Sequence, residues 1–396
     1  MNLSNFIFNL KKRQNKKIRV GLLITEFFGG AGSGFGGYGM LARNYICKYI
    51  PNDKIKIDVL LSRGGRLHYF MHKKYKEDGI NLYRLPRWKF ATRMFLKHKN
   101  YDVYLSIELT FDWVLRTEPN PFKKLILWIQ DPRPKYEWDE INTVKLFSEP
   151  CYYDQLIYDT VHRWNNAGRI RFISQGYFLN PKAIDLYRLP PDTSIQYLPN
   201  PVDIDYDFNV AEYEKKNMII FLGRIESVKR GWLFCEIAKQ MPEYDFVVLG
   251  QTHSSKEKRI LQIMEPYKKI KNLHFAGHVD GAEKAQFLKD AKILINTSIH
   301  EALPVSFLEA LSYGTVLVSN RNPEDLTSKF GIWTGDVWGD GFDKVGLYVD
   351  AVRKIMTDEK LRKRLAIDAV EYVKQVHNVS RFVKDLRNVI IDTVYE

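Results

Sequence analysis

Residues 218–223 (MIIFLG), 245–250 (DFVVLG), 273–277 (LHFAG), 293–298 (ILINTS) and 315–319 (TVLVS) are short apolar runs. Segments of helical character at 228–241, 256–269, 282–290 and 304–313 separate them. Continuous apolar runs of this length are the pattern of strands buried on both faces, and their alternation with helices specifies a doubly wound parallel α/β sheet. Toward the N-terminus, IRVGLLITEF at 18–27 reads as another buried strand. It is followed by Gly29-Gly30-Ala31-Gly32-Ser33-Gly34-Phe35-Gly36-Gly37 and a helix to about Ile50. Apolar runs at 56–62, 80–85, 102–107, 125–130 and 170–174 continue the rhythm of an open α/β sheet. The turn-rich Leu189-Pro190-Pro191-Asp192 and then Pro201-Val202-Asp203 close this half, with a linker around 201–216. From about 348 the chain reads as helical, with apolar positions three and four apart.

A chain of 396 residues, 45% apolar and 27% charged, can fill two hydrophobic cores. No stretch approaches the roughly 20 apolar residues of a membrane span. The opening Phe6-Ile7-Phe8 precedes Lys11-Lys12-Arg13 and Lys16-Lys17, the wrong order for a signal peptide, so a cytoplasmic location is expected. Cys47, Cys151 and Cys235 form no CxxC pair and read as reduced thiols. A net charge of +13 implies attraction to polyanions: nucleic acid, an anionic leaflet, or phosphates on a donor or acceptor. The clusters Lys123-Lys124, Lys215-Lys216, Lys256-Lys258-Arg259 and Arg362-Lys363-Arg364 are scattered, without the spacing of a nucleic-acid module, and read as solvated helix faces. The aromatics mostly fall inside strand or helix patterns.

Parallel sheets bind ligands beyond the carboxyl ends of their strands, so the loops at 28–37, 224–230, 251–255, 278–281 and 299–304 are where chemistry is expected. The first loop is not the dinucleotide fingerprint; its glycines either admit a ligand to amides at a helix N-terminus or form a mobile surface loop. Gly223-Arg224 follows the strand at 218–223, and Lys229 is expected in the first turn of a helix capped by Ser227. Two cations beside free amides suit a diphosphate, and a solvated surface is the alternative. In Asn296-Thr297-Ser298-Ile299-His300-Glu301-Ala302-Leu303-Pro304-Val305-Ser306-Phe307-Leu308-Glu309, the His-Glu pair lacks the second histidine of a zinc peptidase. Glu309, on an apolar helix, needs a partner, with an internal salt bridge or an exposed-face position as the alternative to a ligand.

Gly223-Arg224 with Lys229, Glu301 and Glu309 separated by seven residues, the glycine-rich loop, and Pro199-Asn200-Pro201-Val202-Asp203 together resemble glycosyltransferase family 4. The resemblance is strong over about 217–321 and thinner over 18–205. It implies a GT-B fold: two Rossmann-like α/β domains facing each other across a cleft. The expected divisions are a basic leader at 1–17, an acceptor-side domain at 18–205, a donor domain at 206–375, and a final helix at 376–396 crossing back. It further implies metal-independent, retaining transfer of a hexose-type sugar from a UDP- or GDP-sugar, with no other cofactor. Arg224 and Lys229 would bind the diphosphate and Glu309 the ribose hydroxyls. Glu301 and the backbone of Ala302, Leu303, Pro304 and Val305 would orient the sugar. Gly36 and Gly37 would contact the donor.

Ala302-Leu303-Pro304 stands where relatives commonly carry a small glycine-containing run. Asp131 and Arg133, in Gln130-Asp131-Pro132-Arg133, stand near where a histidine is expected, and are acceptor-side candidates or a local turn. His278 lines the base pocket or is structural, and His300 contacts a phosphate or sugar hydroxyl. Asp203-Ile204-Asp205 is nominally a metal motif but follows the interdomain turn. The acceptor is a glycan, lipid-linked glycan or protein, with peripheral association to anionic membrane. Two other readings stay open: a nucleotide-sugar epimerase on the same scaffold, and a non-catalytic nucleotide-sugar or glycan-binding protein.

Overall fold

A computed structural model describes residues 17–63, 70–143, 151–252 and 257–396. The expected basic leader lies outside these residues except for Lys17. The chain divides into two compact units: Met1–Pro132, Asp154–Asn200 and Val379–Glu396 form the first, and Arg133–Tyr153 and Pro201–Asn378 the second. The second unit therefore takes in a segment that precedes the boundary expected from the sequence.

The first unit contains β1 (Ile18–Leu23), β2 (Ile55–Arg63), β3 (Lys73–Glu77), β4 (Ile80–Leu85), β5 (Val103–Ile107), β6 (Lys124–Ile129), β7 (Ile170–Ser174) and β8 (Ile195–Tyr197). They form one sheet in the order β3-β4-β2-β1-β5-β6-β7-β8, parallel except for the β3–β4 pair. The sequence pattern did not disclose β3, because Lys73-Lys74-Tyr75-Lys76-Glu77 has no apolar run. It is a charged edge strand, turned back through Asp78 and Gly79, whose φ angles of 50° and 79° suit a two-residue hairpin.

The helix Val379–Tyr395 belongs to this unit and buries Phe382, Leu386, Val389 and Ile390 in the same core as β1, β2, β5 and β6. Phe382 stacks on Trp128 with ring centroids 5.4 Å apart. Arg387 donates to the carbonyls of Tyr49 and Ile50, closing the end of the helix that follows the glycine-rich loop.

The second unit contains β9 (Met218–Leu222), β10 (Asp245–Leu249), β11 (Leu273–Gly277), β12 (Ile293–Asn296), β13 (Val316–Ser319) and β14 (Gly331–Trp333). All its neighbours are parallel in the order β11-β10-β9-β12-β13-β14. Numbered within the unit this is 3-2-1-4-5-6, the doubly wound order, with its reversal between β9 and β12. Close backbone approach shapes its edge: a Cβ on Gly250, just after β10, would fall 1.8 Å from the Gly223 carbonyl oxygen. Ile141, from the Arg133–Tyr153 segment, is buried in this unit's core, and Trp138 packs against it.

Leu386→Ala removes a fully buried side chain from the core of the first unit. It is expected to cost about 2–5 kcal/mol, read as a lower urea midpoint for the first unit's transition while that of the second unit is unchanged.

Candidate active site

Where the order of a parallel sheet reverses, the chains leaving two adjacent strands diverge and leave a crevice at their carboxyl ends. In the second unit these strands are β9 and β12, which lead into the loops at 223–230 and 297–304. The loops are stitched together: the Ile299 amide donates to the Val228 carbonyl at 2.8 Å, and the Thr297 hydroxyl to the Lys229 carbonyl at 2.8 Å. Arg230 anchors them from below. Fully buried, its guanidinium donates to the carbonyls of Thr297 (2.6 Å), Val337 (3.0 Å) and Gly339 (3.1 Å). Burial pushes it down to about 10.

Arg230 also corrects the expected helix start. Its φ of 48° is left-handed, so Ser227–Lys229 is a separate short turn and the helix proper is Gly231–Lys239, with no side-chain cap. Lys229 thus precedes the helix instead of occupying its first turn. The break falls at the residue whose guanidinium is held by the three carbonyls.

The structure brings Lys229 and Glu301 together. The Lys229 ammonium lies 2.6 Å from Glu301 Oε1, and that same oxygen accepts from Ser298 Oγ (2.6 Å) and Asn296 Nδ2 (2.9 Å). The carboxylate is thereby fixed by three donors converging on Oε1. Burial pushes the Glu301 carboxyl up, but the Lys229 charge and these hydrogen bonds outweigh it, and the net direction is below the ordinary glutamate range. Arg224, on the same post-β9 loop, is more than half exposed and pairs with Glu226 at 3.2 Å.

Glu309 lies within the helix Val305–Ser312, and its partner is Lys284, at 2.8 Å on the helix Gly281–Asp290. Asp280 is 3.6 Å from the same ammonium. Burial pushes Glu309 up, an effect that Lys284 only partly offsets and that Asp280 and Asp203 reinforce. Burial pulls Lys284 down, but Glu309 and then Asp280 outweigh it and hold the ammonium above the ordinary lysine range. Of the residues between Glu301 and this helix, Leu303 is buried, while Ala302, Pro304 and Val305 are partly exposed. His300 Nδ1 lies 3.3 Å from Glu137 Oε2 within the second unit, and His278 is exposed just beyond β11. Arg321 donates to the Ile299 carbonyl, pairs with Asp336 at 3.2 Å and stacks on Trp338.

The other candidates divide between the two units. Gly36 and Gly37 are in the first unit, where a Cβ on Gly36 would fall 2.2 Å from Glu26 Oε1, and the Gly39 amide donates to that oxygen at 3.0 Å. Asp131 belongs to the first unit and Arg133 to the second. Glu108, buried at the end of β5, accepts from the amides of Gln130 (2.9 Å) and Asp131 (2.8 Å) and from the Tyr187 hydroxyl. Arg133 lies over Trp138, 4.2 Å from the ring centroid. Asp205 pairs with Lys289 at 2.9 Å. Among the described residues, no group of three or more His, Cys, Asp or Glu is placed to hold a metal ion.

Residues 203–372 match the family model of glycosyl transferases group 1. The matched span includes the Lys229–Glu301 and Lys284–Glu309 pairs. No curated protein matches the chain. Among solved structures it is similar to the sucrose-phosphate synthase from Thermosynechococcus elongatus, at 13% identity and TM-score 0.70 over 95% of this chain and 99% of that one. It is also similar to Anabaena HepE in complex with UDP, at 11% identity and TM-score 0.69 over 95% and 100%. A third is the pneumococcal O-GlcNAc transferase GtfA in complex with UDP and GlcNAc, at 10% identity and TM-score 0.66 over 96% and 100%. At these identities the likeness establishes the fold: two Rossmann-like sheet domains of the GT-B kind.

Asn296, Ser298 and Lys284 were missed as site residues. Two polar residues ending the apolar run of β12 are a signal that could have found the first two, and Lys284, four residues after Asp280, carries a weaker one. Nothing local pointed to Glu137, whose place beside His300 depends on contacts remote in sequence. Glu301→Gln is expected to destabilise the second unit by about 1–3 kcal/mol at neutral pH. Because the Glu301 pKa is depressed in the folded state, this contribution is present above the ordinary glutamate value and is lost as pH falls through the folded value. Urea titrations should therefore show the gap between wild type and variant closing below about pH 4.

Proposed function

We propose that the protein is a glycosyltransferase that binds a nucleotide diphosphate sugar at the β9–β12 crevice and passes the sugar, with retention, to an acceptor hydroxyl. The observation that carries this reading is the Lys229–Glu301 pair at the sheet's switch point, inside the span matching glycosyl transferases group 1. The complexes of similar folds with UDP and with UDP-glucose support a nucleotide sugar as donor.

In this reading, Arg224 and Lys229 meet the diphosphate, whose charge grows as the sugar bond breaks; a guanidinium fork and a compact ammonium both suit it. Glu301 has a second role. Its Oε1 is occupied by Lys229, Ser298 and Asn296, so the carboxylate is held ionised and oriented, and Oε2 is the oxygen for a sugar hydroxyl. The backbone of Ala302, Leu303, Pro304 and Val305 completes the sugar subsite. Glu309, steadied by Lys284, receives the ribose hydroxyls, and His278 flanks the base. The departing phosphate oxygen takes the acceptor proton on the face from which it leaves, so neither glutamate serves as a nucleophile. With the leaving charge met by cations and amides, the reaction proceeds without a divalent ion.

Calorimetry with UDP and GDP in EDTA should show binding of at least one of them, and strict dependence on magnesium or manganese overturns the metal-free reading. Glu309→Gln should weaken nucleotide affinity about tenfold through loss of a charged hydrogen-bond acceptor. Glu301→Gln should instead lower turnover about a hundredfold while nucleotide affinity changes little. Equal loss of affinity in both variants, with folding intact, rejects this division of roles.

The acceptor in this reading carries phosphate or lies at an anionic membrane on the cytoplasmic side, as a lipid-linked glycan does. The net charge of +13 supports it, since basic surface raises encounter rates with such an acceptor. Among the described residues no helix is long and apolar enough to cross a membrane, so contact would be peripheral.

A further inference from the structure

The helix Lys89–Lys99 of the first unit has one face bound and one bare. Thr92, Phe95 and Leu96 are buried, and the Thr92 hydroxyl donates to the Pro86 carbonyl at 2.9 Å. The opposite face presents Phe90, Arg93, Met94 and Lys97, at the i, i+3, i+4, i+7 spacing of one stripe. Trp88, immediately before the helix, packs against Phe70 with ring centroids 4.3 Å apart and the ring planes tilted by 54°. Phe70, Met71, Trp88, Phe90 and Met94 are 63%, 75%, 51%, 71% and 52% exposed, a concentration of large apolar side chains that a water-facing surface does not favour. Between Arg87 and Lys99 the sequence holds Arg87, Lys89, Arg93, Lys97 and Lys99 and no Asp or Glu.

We infer that this face seats on an anionic lipid surface, with Trp88, Phe90, Met94, Phe70 and Met71 entering the headgroup boundary and Lys89, Arg93 and Lys97 meeting lipid phosphates. An amphipathic helix with aromatic and aliphatic residues set among cations is the arrangement that lies in a membrane interface. Charge complementarity selects the occupant. A second copy of the same face would bring like charges together, and a polyanion without an apolar phase would leave the methionines and rings in water. The anchored inner face means the helix need not fold on contact, so the ordering cost is small. This inference deepens the membrane-proximal acceptor reading and rests on it, while locating the contact on described residues of the first unit and not on the N-terminal leader.

The test is co-sedimentation of the full chain with vesicles of phosphatidylcholine alone and of phosphatidylcholine mixed with phosphatidylglycerol, at low and high salt. The wild type should bind the anionic vesicles and lose binding at high salt. Trp88→Ala with Phe90→Ala, and separately Lys89→Glu with Arg93→Glu, should each weaken binding at least about tenfold. All four side chains are exposed, so the variants should fold, and unchanged UDP binding by calorimetry checks this. Absence of vesicle binding by the wild type overturns the inference. So does binding that both variants retain in full, or substitutions that abolish only self-association or RNA binding. If the wild type binds vesicles through this face yet binds no nucleotide, the transferase reading fails and the membrane seat stands. If it binds UDP and transfers sugar but ignores vesicles, the reverse holds.

Discussion

The ion pair between Lys229 and Glu301 ties together two loops that the sheet itself drives apart. Strand order reverses between β9 and β12, so the segments leaving them turn to opposite faces, and only side-chain and loop-to-loop bonds hold their ends side by side. At 2.6 Å, with Ser298 and Asn296 donating to the same oxygen, the pair satisfies Oε1 of the carboxylate with three donors. That satisfaction lets a glutamate stay ionised in a buried position, where an unpartnered one would take up a proton. The same pair keeps a lysine charge at the crevice before any ligand arrives, so an incoming diphosphate meets a site that needs little reorganisation.

Much of this was legible in the sequence because parallel strands and their following loops are local features. MIIFLG, DFVVLG and ILINTS mark β9, β10 and β12 to within two residues, and the loops after them contain Arg224, Lys229 and Glu301. Less legible was whatever depended on contacts between segments. Ser227 looked like a cap because Ser, Lys and an apolar run follow one another. The left-handed Arg230 that breaks the helix has its guanidinium held by carbonyls of residues 297, 337 and 339, which no local pattern announces. Glu309 was rightly seen to need a partner, yet Lys284 sits on another helix.

The glycine-rich loop shows how one local signal supports two chemistries. Glycines before a helix suggest amides open to an anion, but here Glu26, from the end of the preceding strand segment, supplies an anion itself, and its carboxylate accepts from the Gly39 amide. A side chain at Gly36 would collide with that carboxylate where it now lies, so Glu26 would have to shift from its capping position. Negative charge at a helix N-terminus is favourable, which gives this arrangement a structural reason independent of any ligand. The pattern was visible in the sequence; its occupant was ten residues away.

Charge follows the same logic. The net +13 is a sum over cations with different partners. Lys215 is buried and donates to the Leu288 and Lys289 carbonyls and the Thr315 hydroxyl; Arg230 is spent on backbone carbonyls; Lys229 and Lys284 face glutamates. Lys229 and Lys284, although they count toward the total, attract a distant polyanion weakly, because the carboxylate beside each offsets its charge. The field that extends outward comes from exposed cations such as Arg93 and Lys97, in a stretch, residues 87–99, whose sequence holds no Asp or Glu. The sequence reading assigned most aromatics to strand and helix interiors, which holds for Phe95. It fails for Phe90, on the exposed face of the helix, and for Trp88, exposed just before the helix begins. Exposed apolar side chains and the exposed cations Arg93 and Lys97 coincide on that one helix face, and neither the net charge nor the aromatic fraction could reveal the coincidence.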